Sequence, residues 1–156
     1  MGKVIHLPYW TRRNRSVRRP GRLAGPRQIL LAYAGRDKRE YLAAVLASHG
    51  YDITGCCGGL EALGYLAASH FDLVVTGILM PNLDGLELVR ALRHRAGPPV
   101  IAVADSSNRM DAIYLRNATL SGAVATHTFG EAANALLTSV DWILQGRDDV
   151  IKGVVW

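Results

Sequence analysis

The sequence predicts an α/β domain in which a doubly wound sheet of five parallel strands is covered by five helices and preceded by a basic N-terminal arm. Two observations support this prediction. Five short apolar runs alternate with five amphipathic segments, at roughly 20–25 residues per unit. The chain also has 156 residues, of which 49% are apolar and 20% are charged, and this composition suits one globular domain. Strands buried on both faces of a parallel sheet are apolar along their length, and right-handed crossovers place helices on both faces.

Short apolar runs bounded by turn residues predict the five strands in chain order. The run QILLAYA begins the series, and the third run is apolar at nearly every position after Asp72. The fifth run is shorter and less apolar than the others. The predicted strands are Gln28–Ala34, Tyr51–Cys56, Phe71–Thr76, Val100–Ala104 and Ala123–Thr126.

Capping residues and helix breakers set the predicted limits of the five helices. Asp37 and Glu40 have the spacing of a capping box before the first helix, which ends at Gly50. The second helix is predicted over Gly59–His70. The third helix is predicted to begin at a capping box of Asp84 and Glu87 and to stop at Pro98 and Pro99. The fourth is predicted to begin at a cap of Ser106 or Ser107 and to end near Ala118. The fifth is predicted to begin at a capping box of Thr128 and Glu131 and to end at Gly146.

Apolar residues at helical spacing predict which side of each helix faces the sheet. Ligands of such folds bind at the carboxyl ends of the strands, where the strand order reverses. Functional residues are therefore expected just after the first, third, fourth and fifth strands. The predicted inward sides, in chain order, are Leu42, Val45 and Leu46; Leu60, Leu63, Leu66 and Ala67; Leu86, Val89 and Leu92; Met110, Ile113 and Tyr114; and Leu136, Leu137, Val140, Ile143 and Leu144.

Charge divides the chain into an arm, a domain and a tail. Residues 1–27 contain eight basic side chains and no acidic one, whereas residues 28–156 contain ten basic and thirteen acidic side chains. We therefore predict a basic, flexible arm over residues 1–27, a domain over residues 28–146 and a C-terminal tail over residues 147–156. The arginines expected to contact nucleic acid or another anion are Arg12, Arg13, Arg15, Arg18, Arg19 and Arg22.

Several classes of protein are excluded. No apolar run approaches the roughly 18–20 residues of a transmembrane helix, and no apolar segment follows the basic residues as in a secretory signal, so a cytoplasmic location is expected. Cys56 and Cys57 are adjacent, which argues against a disulfide scaffold and a cysteine-only zinc site. No nucleophile–base pair or carboxylate cluster follows the predicted strands, so we expect no enzymatic activity, no metal and no cofactor.

Three segments resemble the receiver domains of bacterial response regulators. The segment FDLVVTGILMPNLDGLELVRALR, Phe71–Arg93, is similar to the family's central signature of an apolar strand, a Met-Pro-x-x-Asp-Gly loop and an amphipathic helix. His49–Leu63 resembles the second strand and the following turn, and Pro99–Asp105 resembles the fourth strand. The likeness covers roughly residues 28–145 and implies the flavodoxin-like receiver fold. The four residues that match the loop are Met80, Pro81, Asp84 and Gly85.

The resemblance implies a chemistry that several positions of this sequence do not support. Receiver domains hold Mg²⁺ with two acids after the first strand and an aspartate after the third, which accepts a phosphoryl group. They also use a Ser or Thr after the fourth strand and a Lys after the fifth. The resemblance therefore implies a degenerate receiver, or pseudo-receiver, without the phosphorylation site. The residues at the matching positions are Tyr33 and Ala34, Gly77, Ala104, and His127.

The residues that replace the family's site residues have expected roles of their own. Tyr33 is expected to fill the emptied crevice and to hydrogen-bond nearby backbone, and Gly77 would leave room for its ring. Asp105 follows the Ser/Thr position; the preferred interpretation is that it caps the fourth helix, and the other is that it reaches the crevice. His127 is expected to fill the space of the missing lysine, or to act as a pH-sensitive contact.

These expectations favour an atypical receiver-like module that acts in two-component phosphorelay signalling through phosphorylation-independent protein contacts. The expected partner is a signalling protein, such as a histidine kinase or another regulator, and a homodimer is also possible. Tyr114, Phe129 and Val154–Trp156 would supply apolar anchors. The alternative is a nucleic-acid-binding regulator that uses the arginine-rich arm on an inert receiver scaffold.

Overall fold

A computed structural model describes residues 25–106 and 108–144 of the chain. It contains one five-stranded sheet in the order β2-β1-β3-β4-β5, and every pair of neighbouring strands is parallel. The predicted doubly wound fold with five helices is confirmed. The strands are β1 Gln28–Ala32, β2 Asp52–Cys56, β3 Leu73–Gly77, β4 Val100–Ala104 and β5 Ala125–Thr128.

Five α-helices connect and cover the strands. A 3₁₀ turn at Phe129–Glu131 and a π-helical turn at Ala132–Leu136 lead from β5 into the last helix. None of the described helices is long and apolar enough to cross a membrane. The helices are α1 Arg36–Ala47, α2 Gly59–Ala68, α3 Gly85–His94, α4 Arg109–Ser121 and α5 Leu137–Leu144.

Some predictions concern residues outside the described part of the chain. They are the arm residues 1–24 with all of the named arginines, the Ser107 cap, the helix end at Gly146, and the tail 147–156 with its Val154–Trp156 anchor. These remain predictions from the sequence.

The limits of β4 agree with the prediction, and those of the other four strands differ from it by one or two residues. β1 ends at Ala32, although Tyr33 N still donates to Cys56 O at 2.9 Å. β3 begins at Leu73 and includes Gly77. β5 begins two residues later than predicted, at Ala125, which pairs with Ile101 of β4.

The capping box of α3 is confirmed, but that of α1 is wrong. Glu87 N donates to Asp84 Oδ1 at 2.9 Å, and Asp84 N donates to Glu87 Oε2 at 2.9 Å. In α1 the cap residue is Gly35, which has no side chain to accept a bond. Glu40 instead accepts from Arg36 Nε at 2.9 Å, one turn along the helix.

The starts of α4 and α5 also differ from the prediction. The cap of α4 is Asn108, whose Oδ1 accepts from Asp111 N at 2.8 Å, rather than Ser106. Thr128 N does donate to Glu131 Oε2 at 3.4 Å, but this bond belongs to the 3₁₀ turn. α5 begins only after the π-helical turn, so the proposed box does not begin it.

The apolar core lies on both faces of the sheet. On one face, α1 and α5 cover β-strand residues such as Leu31, Val75 and Ile101, and on the other α2, α3 and α4 cover residues such as Leu30 and Val74. Burial of both faces explains why the strands are continuously apolar.

Two predicted inward sides are partly wrong. Leu60 of α2 is 57% exposed, and Met110 and Ile113 of α4 are 56% and 49% exposed. In α2 the sheet is faced by Ala62, because a Cβ on the neighbouring Gly59 would already overlap Leu83 and only small residues fit. In α4 the buried positions are Asp111 and Ala118, and Asp111 is held inward by bonds to the preceding loop.

Candidate functional site

The carboxyl ends of β1 and β3 place Tyr33 beside Gly77. The register pairs Ala32 with Thr76, so the next residue of each strand lies side by side on the face covered by α1 and α5. Asp105 follows β4, the next strand of the sheet. Strand order reverses on either side of β1, which is where ligand crevices form in open α/β sheets.

The ring of Tyr33 occupies the space above Gly77. A Cβ on Gly77 would lie 3.1 Å from Tyr33 Cδ2 and 3.2 Å from Cε2. Tyr33 is only 3% exposed. The expectations that this tyrosine fills the crevice and that Gly77 leaves room for it therefore agree with the geometry.

The Tyr33 hydroxyl donates a hydrogen bond to Asp105 Oδ1. The same oxygen lies 3.1 Å from Lys38 Nζ. The preferred interpretation of Asp105 as a helix cap is wrong, because the carboxylate reaches the crevice, and the hydroxyl of Tyr33 bonds this carboxylate rather than backbone. Asn108 has taken the capping position instead.

The charge states of this pair follow from burial and hydrogen bonding. Burial raises the pKa of Tyr33 well above its ordinary value, and the bond to Asp105 acts in the same direction. The bond from Tyr33 lowers the pKa of Asp105, and Lys38 lowers it further against the opposing effect of burial. A neutral phenol therefore donates to an ionised carboxylate near pH 7.

An aromatic cluster from the 3₁₀ turn and α1 packs beside the pair. Lys38 Nζ lies 4.9 Å from the centre of the Phe129 ring. The Phe129 ring centre is 6.4 Å from that of Tyr33 and 5.6 Å from that of Tyr41, with tilted planes. These distances are typical of favourable aromatic and cation–π contacts.

The loop between β4 and α4 is fixed from its other end by Asp111. This buried carboxylate accepts from Ser106 N at 2.9 Å and from Ser106 Oγ at 2.7 Å. Asp105 and Asp111 therefore hold the two ends of one short loop, the first towards β1 and the second towards α4.

An open cavity of about 380 Å³ remains beside the Tyr33–Asp105 pair. Its lining mixes backbone of the β1–α1 and β3–α3 loops with both acidic and basic side chains. Among the described residues, no three His, Cys, Asp or Glu side chains are grouped closely enough to hold a metal ion. The lining residues are Tyr33, Ala34, Gly35, Arg36, Asp37, Lys38, Gly77, Ile78, Leu79, Asp105 and Asp111.

Ala104 and His127 do not line this cavity. Ala104 is buried in the core on the opposite face of the sheet. His127 is a buried residue of β5, and its Nε2 lies 2.8 Å from Ser139 Oγ of α5. Burial lowers the pKa of His127. The cation that contacts Asp105 in the described chain is instead Lys38 of α1.

The four loop residues that resemble the family signature shape the β3–α3 turn. Gly85 N donates to Ile78 O at 2.7 Å, and a Cβ on Gly85 would overlap the carbonyl oxygen of Gly77. Asp84 caps α3. Met80 Sδ lies 3.9 Å from Thr76 Oγ1, and Pro81 O lies 3.2 Å from the position of a Cβ on Gly58. These contacts hold the turn against the end of β3.

Sequence analysis missed Lys38 and Asp111 as residues of the site. Lys38 had a usable signal, because it lies in the first turn of the helix that follows β1. The sequence contains no comparable signal for Asp111, because an aspartate three residues after Asn108 predicts only a favourable charge near the start of a helix.

Comparison with known proteins identifies the same fold. The family model for the response regulator receiver domain matches residues 29–128. The response regulator MprA of Mycobacterium sp. strain KMS is 41% identical over 68 residues, which are 44% of this chain and 30% of that protein. The sensor protein EvgS of Escherichia coli is 39% identical over 67 residues, 43% of this chain and 6% of that protein.

A solved structure agrees with these relatives. The signal receiver domain of a signal transduction histidine kinase from Syntrophus aciditrophicus has a TM-score of 0.68 and 28% identity, and the match covers 79% of this chain and 92% of that one. The chain spans less than a third of the length of the two relatives named above.

Proposed function

The chain belongs to the response regulator receiver domain family, and from this premise we propose that it is a pseudo-receiver, which acts in two-component signalling through protein contacts that need no aspartyl phosphorylation. Its partner would be a signalling protein such as a histidine kinase or another regulator. Receiver modules are signalling domains, so the proposal concerns what the module binds rather than a reaction that it catalyses.

The Tyr33 ring above Gly77 is the observation that carries the proposal. In the family this space receives the phosphoryl group on the aspartate after the third strand. Here the backbone of Gly77 has no side chain to accept the group, and the nearest atoms to its missing Cβ all belong to the Tyr33 ring. The hydroxyl of the ring also bonds Asp105, and the Phe129 ring packs beside it with a tilted plane.

The donor set at the strand ends does not fit the magnesium ion that the family uses. Magnesium favours several oxygen ligands in a nearly octahedral arrangement. The two positions after β1 hold a phenol and a methyl group, and the Asp105 oxygen nearest to them already accepts from Tyr33 and Lys38. We therefore assign no step to a metal ion.

The contacts of Asp105 support a module fixed in one state. A receiver switches when a hydroxyl after the fourth strand moves towards the phosphoryl group. This chain has Ala104 at that position, and the following carboxylate is bonded across the sheet to β1 and α1. The β4–α4 loop is thereby tied down without any ligand.

Amide NMR spectra of the full chain with Mg²⁺ and a phosphoryl mimic such as beryllofluoride test the proposal. We expect no saturable shift at Gly77, Ala104 or Asp105. The matched control is the variant Tyr33→Asp/Ala34→Asp/Gly77→Asp, which removes the ring and restores three carboxylates in the space that it leaves.

The restored variant is expected to show saturable Mg²⁺-dependent shifts at these amides, which proves that the assay can detect binding. Saturable shifts in the unmodified chain with Mg²⁺ and the mimic would refute the pseudo-receiver proposal. A folded control variant is recognised by a dispersed spectrum before any titration.

The nucleic-acid alternative depends on Arg12, Arg13, Arg15, Arg18, Arg19 and Arg22, all of which lie outside the described residues. It stays a prediction from the sequence, as does the possible homodimer.

A further inference from the structure

The outward face of α2 is apolar and carries a depression. Leu60 is 57% exposed and Tyr65 is 38% exposed. Gly64 faces open space, because a Cβ built on it would have no atom within 4 Å. Leu60, Gly64 and Ala68 are each four residues apart, so they lie along one side of the helix. The missing side chain of Gly64 therefore leaves a shallow depression beside two larger apolar side chains.

Charged side chains are nearly absent from this face. A helix at a protein surface normally turns charged and polar residues outward. The one charged residue among the ten of α2 is Glu61, and its carboxylate accepts from Cys57 N at 3.2 Å at the start of the helix. Ala67 and Ala68 continue the apolar surface to the other end of α2. An exposed apolar face of this kind indicates a contact surface.

The N-terminal arm contains a segment whose chemistry matches this face. Residues 4–10, with the sequence VIHLPYW, include five aliphatic or aromatic side chains. Leaving these side chains in water is unfavourable. Large and small residues interdigitate at well-packed contacts, so a ring such as that of Trp10 suits the depression above Gly64.

The arm joins the domain beside the C-terminal end of α2. Gln28 N donates to Asp72 Oδ2 at 2.8 Å, and Asp72 N donates to Gln28 O at 2.8 Å. Asp72 follows the last residue of α2 by only four positions. Residues 11–24 lie between the apolar segment and the described chain, and a flexible linker of this length spans roughly 20 Å. Since a ten-residue helix is about 15 Å long, the segment can reach the depression.

Charge favours the same placement. The last turn of α2 contains no basic residue, so the negative end of its helix dipole has no cation in that turn. Asp52 and Asp72 lie near this end, because both pair with Gln28 at the start of β1. Arg12 and Arg13 follow the apolar segment almost directly, and these arginines would find negative potential there.

We propose that residues 4–10 of the arm dock on the outward face of α2, over Gly64, with Arg12 and Arg13 beside the C-terminal end of the helix. The tether gives this segment a high effective concentration at α2, which neither a second copy nor a separate partner has. The docked arm would cover the apolar face and hold its arginines against the domain. α2 and the Tyr33 ring lie on opposite faces of the sheet, so the proposal does not depend on whether the site at Gly77 accepts a phosphoryl group.

Nuclear Overhauser effects in the full chain test this contact directly. We expect cross-peaks between the indole ring of Trp10 and the methyl groups of Leu60 and Ala68, with intensities that do not depend on protein concentration. A sample that mixes differently labelled copies separates contacts within one chain from contacts between two. The full chain is used throughout, so the arm keeps its natural attachment.

Gly64→Lys should remove the contact without disturbing the fold. The added Cβ meets no neighbour, and lysine favours a helix more than glycine does. Its ammonium group would occupy the depression and repel the arginines, so the cross-peaks should weaken at least about tenfold. The matched control is Ala112→Lys, which adds the same side chain at an exposed position of α4 and should leave the cross-peaks unchanged. Leu7→Ser/Trp10→Ser should shift the amide signals of α2 and of no other helix.

Three results would overturn the proposal. The first is the absence of cross-peaks between residues 4–10 and α2 in the unmodified chain. The second is a contact that persists in Gly64→Lys, or that Ala112→Lys weakens equally. The third is a set of cross-peaks seen only between differently labelled copies, which would replace docking of the arm within one chain with an exchange between two copies.

Discussion

Gly77→Ala should destabilise this protein, although replacing a glycine within a strand usually stabilises it. The three atoms nearest to the added Cβ all belong to the Tyr33 ring, at 3.1, 3.2 and 3.5 Å. The ring cannot move aside freely because its hydroxyl bonds Asp105 and the Phe129 ring packs beside it. Overpacking of this kind costs about 1–3 kcal/mol, and the loss of glycine entropy from the unfolded chain offsets about 0.5–1 kcal/mol. A net loss of about 1 kcal/mol is expected.

The sign of this effect should reverse when the ring is removed. In a Tyr33→Ala background nothing opposes the added methyl group, so Gly77→Ala should stabilise the protein by about 0.5–1 kcal/mol. The double-mutant cycle would then give a coupling energy of about 1–3 kcal/mol between the two positions.

Urea unfolding of the four proteins is the assay. With slopes of about 1–3 kcal/mol/M, the expected change moves the midpoint of the Gly77→Ala single variant down by about 0.3–1 M. Equal effects of Gly77→Ala in both backgrounds would show that the ring does not occupy the space above Gly77, and the main support for the pseudo-receiver proposal would be lost.

Three further predictions concern separate parts of the chain. Tyr33→Phe should lower the free energy of unfolding by about 1–2 kcal/mol, because Asp105 loses a donor and the ring keeps its packing; an unchanged urea midpoint would contradict this. Burial lowers the pKa of His127 from the ordinary 6.5 against the opposing effect of Glu131, so the unfolded chain binds the proton more readily and stability should fall as pH drops below about 6.5. In the His127→Gln variant, the thermal unfolding temperature should therefore fall less between pH 7.5 and pH 5.5 than it does in the unmodified chain. Identical dependence of the unfolding temperature on pH in the two proteins would contradict this. If the arm binds nucleic acid, fluorescence anisotropy should show salt-sensitive binding of a random DNA duplex by the full chain and none by residues 28–156, whereas equal binding by both would assign it to the domain.

Sequence patterns predicted the elements of the fold well because burial on both faces of a parallel sheet makes each strand apolar. They failed where a contact distant in sequence decided the outcome. Asp105 reads locally as a helix cap, yet Tyr33 and Lys38, which precede it by 72 and 67 residues, draw it into the crevice. No local pattern contains that information.

The prediction of which side of α4 faces the sheet was wrong for a related reason. Met110 and Ile113 have helical spacing and suggested an inward side, but Asp111 sits between them and is fixed inward by Ser106. A buried carboxylate with good partners can outweigh two apolar side chains, because leaving it unpaired would cost more than exposing them. In contrast, the Tyr33–Gly77 pairing was accessible from the sequence, because adjacent parallel strands end at the same edge and a ring needs space beside it.

The candidate site and α4 are joined by a single loop whose two carboxylates face in opposite directions. Asp105 ties the loop to β1 and α1, and Asp111 ties Ser106 to the first turn of α4. A ligand-driven receiver needs this loop to move so that the state of the site reaches the helix. If the proposed pseudo-receiver is correct, these internal bonds should keep α4 in one position whether or not Mg²⁺ and a phosphoryl mimic are present. Amide shifts of α4 that stay unchanged in the Mg²⁺ and beryllofluoride titration are the expected result, and shifts that spread from the site into α4 would contradict it.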